Sequence, residues 1–301
     1  MLTLVLKFNK MSHFPPSELI LNPDGSILHL KLYPDQVPDT AILVGDPGRV
    51  ELVAGLLDHP ENLSFNREFK SMAGYYNGRR ILVLSTGIGS DNMDIVVNEL
   101  DALVNIDLNL RTEKRAKRSL RLIRLGTSGA LQPDIQVGTG LAAAWSVGLD
   151  GLMHYYIRPG DPERQLFESE LERQVSGPQR LGSLYGAQCG QEYLSLFKDD
   201  CLWGITVAAH GFYGPQGRKL RASLAYPEMN SSLAAFRFRN MSISNFEMES
   251  SALYGLSEIL GHSALTVCLI IANRVRKEYI GDYKEPMRHL AQIILEQVTT
   301  L

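Results

Sequence analysis

Residues 40–57 read Thr40-Ala-Ile-Leu-Val-Gly-Asp-Pro-Gly-Arg-Val-Glu-Leu-Val-Ala-Gly-Leu-Leu57, and their order decides the fold class. Ala41-Ile-Leu-Val44 is an apolar run of strand length. Gly45-Asp-Pro-Gly48 bends the chain. Val50, Val53, Ala54, Leu56 and Leu57 then recur at helical spacing, and Pro47 suits a first helical turn because its missing N–H has no partner to lose there. The same strand, glycine turn and helix return at 82–89 and 93–103, with apolar residues at 93, 96, 97, 100 and 103. Between them, Asn77-Gly78 is a two-residue turn signal joining Tyr75-Tyr76 to Ile81-Leu-Val-Leu84, so 68–86 reads as a hairpin. Further along, 120–125, 140–145, 203–209 and 264–272 read as strands. Residues 162–174, 249–260 and 284–298 read as helices, the last amphipathic through Met287, Leu290, Ala291, Ile294, Leu295 and Val298. Strands alternating with helices predict an α/β fold, a single domain built on a central mixed sheet flanked by helices. We assign that domain to 29–301. Residues 1–28 read as an irregular N-terminal arm, punctuated by Pro15-Pro16 and Asn22-Pro-Asp-Gly25.

The composition narrows the function classes. The 301 residues are 45% hydrophobic and 21% charged, too apolar for a disordered chain. Thirty Lys and Arg against 33 Asp and Glu leave a formal charge of −3, and no broad basic field for nucleic acid. Cys189, Cys201 and Cys268 are scattered, odd in number and without metal-ligand spacing, so free thiols in a reducing cytoplasm are expected. The apolar start breaks at Lys7 and Lys10, short of a secretory core, and no run reaches the ~20 residues of a membrane helix. A membrane partner is therefore not expected. Arg111 to Arg124 is the most basic stretch and reads as a solvated helical extension or loop.

Three groups could carry chemistry. Gly45-Asp-Pro-Gly48, Gly87-Ile-Gly89 and Gly126-Thr-Ser-Gly129 each follow a predicted strand and read as turns whose exposed N–H groups suit an anion. Arg49, Arg67 and Arg124 lie in or near such segments, and guanidinium forks match phosphate oxygens. Any one of these turns fits a tight connection equally well. No Gly-Lys-Ser/Thr follows any of them, and none reads Gly-x-Gly-x-x-Gly. In the second group, Phe212-Tyr-Gly-Pro-Gln-Gly-Arg218, an aromatic ring, an amide and a guanidinium suit the edge of a pyrimidine; it also reads as a surface loop. The third, Asn245-Phe-Glu-Met-Glu-Ser250, opens a predicted helix with two carboxylates. These could accept sugar hydroxyls or serve the helix dipole.

Together these segments resemble the nucleoside phosphorylase family, nearest to its uridine-cleaving members. The resemblance runs from about His29 to about Gln297. Gly45-Asp-Pro-Gly-Arg-Val50, Arg67-Glu-Phe69, Ser85-Thr-Gly-Ile-Gly89, Arg124-Leu-Gly-Thr-Ser-Gly-Ala-Leu-Gln-Pro133, the 212–218 loop, Phe246-Glu-Met-Glu-Ser250 and Ile271-Ala-Asn-Arg274 carry it. It implies a partly barrel-like sheet and a phosphorolysis, in which phosphate attacks C1′ of uridine and gives uracil and ribose 1-phosphate. On the family pattern Gly45, Arg49, Arg124 and Thr127 would hold phosphate, and a partner chain would lend Arg67. Glu247, Met248 and Glu249 would hold the ribose, with a partner-chain His29 near the 5′-hydroxyl. Phe212 would stack on the base, and Gln216 and Arg218 would bind its edge. Arg124, Gln216, Arg218 and Glu249 are the residues on which catalysis would rest.

The resemblance implies no organic cofactor, phosphate as co-substrate, and a homodimer that shares its sites. Whether dimers go on to form a hexamer, and whether a potassium ion sits near Glu68 at the dimer interface, are left open. Two features depart from the family pattern: a basic insertion at about 107–121, and His210-Gly211 before the stacking Phe, where His210 reads as a strand-end histidine. Purine phosphorylases and nucleosidases are the alternatives within the superfamily. They use an Asp after the last core strand, where this chain has Ile270-Ile-Ala-Asn-Arg274. A catalytically silent nucleoside-binding protein is the alternative of another class.

Overall fold

Strand β1 (Thr40–Val44) is buried along its whole length. It pairs in parallel with a strand on each side, and both its faces are covered, which is why its sequence from Ala41 to Val44 is continuously apolar rather than alternating. The structure, a computed structural model, describes residues 13–175 and 184–301. From β1 the chain turns at Gly45 into α1 (Pro47–Ala54), then runs through β2 (Asp58–Asn66), β3 (Phe69–Tyr76) and β4 (Arg79–Ser85) into α2 (Ser90–Asn105). A short pair, β5 (Ile106–Asp107) and β6 (Thr112–Glu113), precedes β7 (Arg121–Ala130), β8 (Gly140–Gly148) and α3 (Pro162–Gln174). The second half comprises β9 (Tyr185–Gln188), α4 (Tyr193–Leu196), β10 (Leu202–Ala208), α5 (Met229–Ala235), β11 (Arg237–Phe238) and β12 (Met241–Glu247). It ends with α6 (Ser250–Leu260), β13 (Ser263–Asn273), β14 (Glu278–Tyr279) and α7 (Lys284–Val298).

One sheet takes the order β11-β12-β10-β8-β13-β7-β1-β4-β3-β2. A further pairing of β12 with β7 closes β12, β10, β8, β13 and β7 into a five-stranded mixed barrel. The predicted α/β architecture with a partly barrel-like central sheet is therefore what forms. The predicted hairpin is β3–β4, with Asn77 and Gly78 both at positive φ (49° and 74°), the backbone that a twist-matched two-residue turn requires. The main core lies between the sheet and helices α2, α6 and α7. A second cluster centres on Trp145, stacked on Phe167 at 4.3 Å, with Phe236, Phe238 and Phe246 around it. Among the described residues, no helix is long and apolar enough to cross a membrane.

Three expectations are corrected, and one strand was not foreseen. Gly126-Thr-Ser-Gly129 is not a turn. It is the second half of β7, paired residue by residue with β13 and, at Gly129, with Phe246 of β12. The 241–247 segment is a buried strand, and the helix that follows starts at Ser250, after Glu249. Residues 58–66 form an edge strand hidden from sequence reading by polar, exposed residues and Pro60. The basic stretch is no helical extension, and part of its charge is tied inward. Arg111 donates to the carbonyls of Phe14, Pro15 and Leu19, Lys114 to those of Leu103 and Val104, and Arg118 to that of Val37 and to Asp39. The insertion thus straps down the described part of the arm, whose Leu19 and Ile27 join the main core.

Candidate active site

The register of the parallel strands gathers the site. Val44 is level with Ser85 on one side and Leu125 on the other, so Gly45, Thr86 and Gly126 emerge side by side at the carboxyl ends of β1 and β4. Ala208 is level with Glu247, so the 210–218 loop leaves the sheet next to the Glu247–Glu249 segment. Crevices of this kind, beyond the carboxyl ends of parallel strands, are where open α/β sheets bind ligands.

Arg124 is the centre of this crevice. It sits in the middle of β7, almost fully buried. Its Nη2 donates to Glu249 Oε2, its Nη1 lies 3.3 Å from Glu247 Oε2, and its Nη1 also reaches Cys268 Sγ at 3.6 Å. Burial opposes the charge, but Glu249, Glu247 and Cys268 outweigh it and hold the guanidinium above its ordinary pKa. Its Nε–H is buried with no acceptor among the described residues. Arg49, half-buried on α1, points to the same place, donating to Leu125 O at 3.3 Å; burial and the nearby charge of Arg124 lower its pKa. The N-terminal N–H groups of α1 are already occupied, because Asp46 accepts from Gly48 and Arg49. Gly89, at φ 100°, donates its N–H to Glu249 Oε1 at 2.8 Å.

Gly126 is what lets this guanidinium lie along its own strand. A Cβ there would stand 2.1 Å from Arg124 Nη1 and 2.9 Å from Cys268 Sγ. If Arg124 holds phosphate, as the resemblance implies, Gly126→Ala is expected to push it off Glu249 and weaken phosphate binding by ~10–100-fold, the scale of losing a hydrogen bond to a charged group. Calorimetry with inorganic phosphate checks this, and unchanged affinity would count against the geometry.

Glu247 and Glu249 do different work. Glu247 turns back and accepts N–H groups from Glu249 (2.9 Å) and Ser250 (3.0 Å) and the Ser250 hydroxyl, closing the N-terminus of α6. Burial, with Glu249 adding and Arg124 opposing, pushes its carboxyl up to about 7, from an ordinary 4.5. Between those values the folded protein holds a proton that the unfolded chain has released. Stability should therefore fall as pH rises from about 4.5 to about 7 and level off outside that window. Glu247→Gln, which mimics the protonated group, is expected to remove that slope in denaturant unfolding run across a pH series; an identical slope would refute the assignment.

The 212–218 loop is likewise built. Gln216 is buried, its carbonyl accepts from Asn230 (3.2 Å) and Arg274 (3.1 Å), and its side-chain oxygen accepts from Arg218. Arg218 lies over the Phe212 ring at 3.7 Å and donates to the Phe212 carbonyl at 2.6 Å. Burial and Arg274 bring the Arg218 pKa down to about 10, so it remains charged at neutral pH. His210 is exposed just beyond β10.

Gly45, Arg49, Arg124, Glu247 and Glu249 thus meet in one crevice; Thr127 lies further along β7, Met248 between the two glutamates, and Phe212, Gln216 and Arg218 on the adjoining loop. Arg67 and His29 stand apart. Arg67 is exposed at the β2–β3 tip, at φ 55°, and forms no ion pair within the described residues. His29 is held by Glu99. Glu68 borders Gly87, its Cγ 2.8 Å from where a Gly87 Cβ would stand. Among the described residues no three His, Cys, Asp or Glu side chains cluster as metal ligands. Sequence reading assigned no role to Cys268, Glu99 or Arg274; of these, only Arg274 carried a local signal, as the end of Ile271-Ala-Asn-Arg274. The Gly89 N–H, read as part of an anion-binding turn, is given to the Glu249 carboxylate.

Residues 39–298 match the family model described as the phosphorylase superfamily. A uridine phosphorylase of Haemophilus influenzae is 33% identical over 257 residues, 84% of this chain and 89% of that one. A uridine phosphorylase of Thermococcus kodakarensis is 30% identical over 272 residues, 88% of this chain and 84% of that one. In three dimensions, a Trypanosoma brucei nucleoside phosphorylase described as showing uridine phosphorylase activity superposes with a TM-score of 0.84. It is 28% identical and covers 94% of this chain and all of that one.

Proposed function

The chain belongs to the phosphorylase superfamily, and from that premise we propose that it cleaves uridine with inorganic phosphate, releasing uracil and ribose 1-phosphate. One observation carries the reading: a buried guanidinium, Arg124, with an N–H that has no acceptor among the described residues, next to a second arginine and braced by Glu249. An oxyanion completes that arrangement, and phosphate with Arg49, Arg124, Thr127 and the Gly45 turn fits it. Glu249 and Met248 then face the ribose, with Glu249 accepting its hydroxyls. Phe212, Gln216 and Arg218 take the base.

The chemistry follows from the charges. Breaking the glycosidic bond leaves positive charge on the ribose, which the phosphate dianion stabilises. The leaving pyrimidine gains negative charge on its oxygens, where the Gln216 amide and the Arg218 fork donate. Donors fixed in advance where charge develops are often the largest catalytic contribution. A pyrimidine rather than a purine is supported by Asn273. The segment Ile270–Arg274 that ends the last core strand holds no Asp, and the Asn273 amide is spent on the carbonyls of Gln132 (2.9 Å) and Ile135 (2.8 Å).

A second copy of the chain belongs to this reading. Arg67 is exposed, with exposed Phe65 near it on the same hairpin, and Ile88 is exposed beside the crevice. They suit a face covered by a partner whose site Arg67 completes. Three buried free thiols fit a cytoplasmic setting.

The test is uracil release from uridine, followed by ultraviolet absorbance, with and without phosphate, beside inosine and thymidine. Phosphate-dependent release from uridine is expected. Release without phosphate would mean a nucleosidase, release from inosine would overturn the base assignment, and no release from any nucleoside would favour a silent binding protein.

A further inference from the structure

His29 is gripped from several sides. One carboxylate, Glu99 on α2, accepts the backbone N–H of His29 (3.1 Å to each oxygen) and of Leu30 (2.9 Å), and pairs with His29 Nδ1 at 2.6 Å. The His29 carbonyl accepts from Asn66 Nδ2 at 2.8 Å, and the ring meets Phe69 edge-on at 6.2 Å. Both main-chain groups and one ring nitrogen are therefore engaged. Of the polar atoms of residue 29, only Nε2 is left for a ligand, on a side chain 27% exposed. Asn66 immediately precedes Arg67, so the two residues assigned to a neighbouring subunit's site share one patch of this chain.

We propose that Glu99 is a positioning residue for the ribose subsite: it fixes the His29 ring with Nδ1–H donated inward and turns Nε2, as an acceptor, toward the 5′-hydroxyl of a nucleoside bound by the partner subunit. This rests on the phosphorolysis reading above. The tautomer follows from the contact, because a neutral imidazole whose Nδ1–H is given to a carboxylate presents a lone pair at Nε2. A carboxylate is needed because one group must accept from two backbone N–H groups and a ring N–H together. A glutamine has only one accepting oxygen and satisfies part of that set.

Steady-state kinetics on uridine and on 5′-deoxyuridine, which lacks the hydroxyl in question, test the role. Glu99→Ala is expected to raise KM for uridine ~10-fold with kcat little changed, the scale of one hydrogen bond. On 5′-deoxyuridine it should behave as the unaltered enzyme. Glu99→Gln should fall between. Adding Glu99→Ala to His29→Ala should cost nothing further, since the carboxylate acts through the ring. Because both substrates are compared in one variant, any general loosening of the arm affects them alike. Equal loss on both substrates, or additive loss in the double variant, overturns the role of Glu99 and leaves the function standing. If the unaltered enzyme releases no uracil from uridine, the function itself fails and the proposal with it.

Discussion

Arg124→Ala is expected to lower uridine phosphorolysis at least ~100-fold, the scale of losing one preorganised charged donor that holds the attacking phosphate. The geometry argues for more than a lost contact. Arg124 is the positive charge between Glu247 and Glu249, and its removal leaves Glu249 buried with only N–H partners. Breaking a buried ion pair from one side typically costs about 3–5 kcal/mol. Glu247 softens that penalty by taking up a proton, since its carboxyl already titrates near 7. The variant should therefore be less stable as well as less active, and its activity must be read per folded molecule, below its unfolding transition. Arg124→Lys separates the two effects. It keeps a positive charge between the glutamates but not the planar fork, so it should regain stability while its KM for phosphate stays high. Ordinary kinetics in the alanine variant would end the phosphate assignment.

The fold was legible wherever burial acts through neighbouring residues. β1 is apolar from Ala41 to Val44 because both its faces are buried, and Asn77-Gly78 announces its hairpin because both positions need positive φ. The 126–129 segment misled for a tertiary reason. Two glycines around Thr-Ser have the composition of a turn, yet Gly126 is small because the Arg124 guanidinium lies against it, a fact fixed by side-chain packing within one strand. β2 misled for the opposite reason: an exposed edge strand is not required to be apolar.

The candidate site was legible to the extent that its chemistry needs particular residue types: arginines, paired glutamates, an aromatic followed by an amide and a guanidinium. What supports those groups was not. Cys268 meets Arg124 only because β13 pairs with β7 so that Cys268 falls opposite Gly126. The Gly89 N–H reaches Glu249 across 160 residues of chain, and Arg274 grips the Gln216 carbonyl across 58. The basic stretch shows the limit of reading charge as solvation. Arg111 is basic because its fork ties together three carbonyls of the arm.

Gln216→Ala and Arg218→Ala should each lower uridine turnover by ~100–1,000-fold, as expected for a lost donor to a developing oxyanion, while phosphate affinity is unchanged. The split follows from how the two halves of the crevice are wired. Gln216 is held through Asn230 and Arg274, and Arg218 through Phe212 and Gln216; neither pair hydrogen-bonds Arg49, Arg124 or Glu249. The Arg124 half is braced instead from α1, β7 and Glu249 at the start of α6. Arg218 also carries more than its charge, because its plane stacks on Phe212 while its fork bridges the Phe212 carbonyl and the Gln216 amide oxygen. Arg218→Lys keeps the charge but neither the plane nor the fork, so it should recover little activity. Calorimetry with phosphate alone, run beside kinetics on uridine, reads both halves. If phosphate affinity fell in step with turnover, the base loop and the anion site would be one coupled unit, and assigning Gln216 and Arg218 to the base would be wrong.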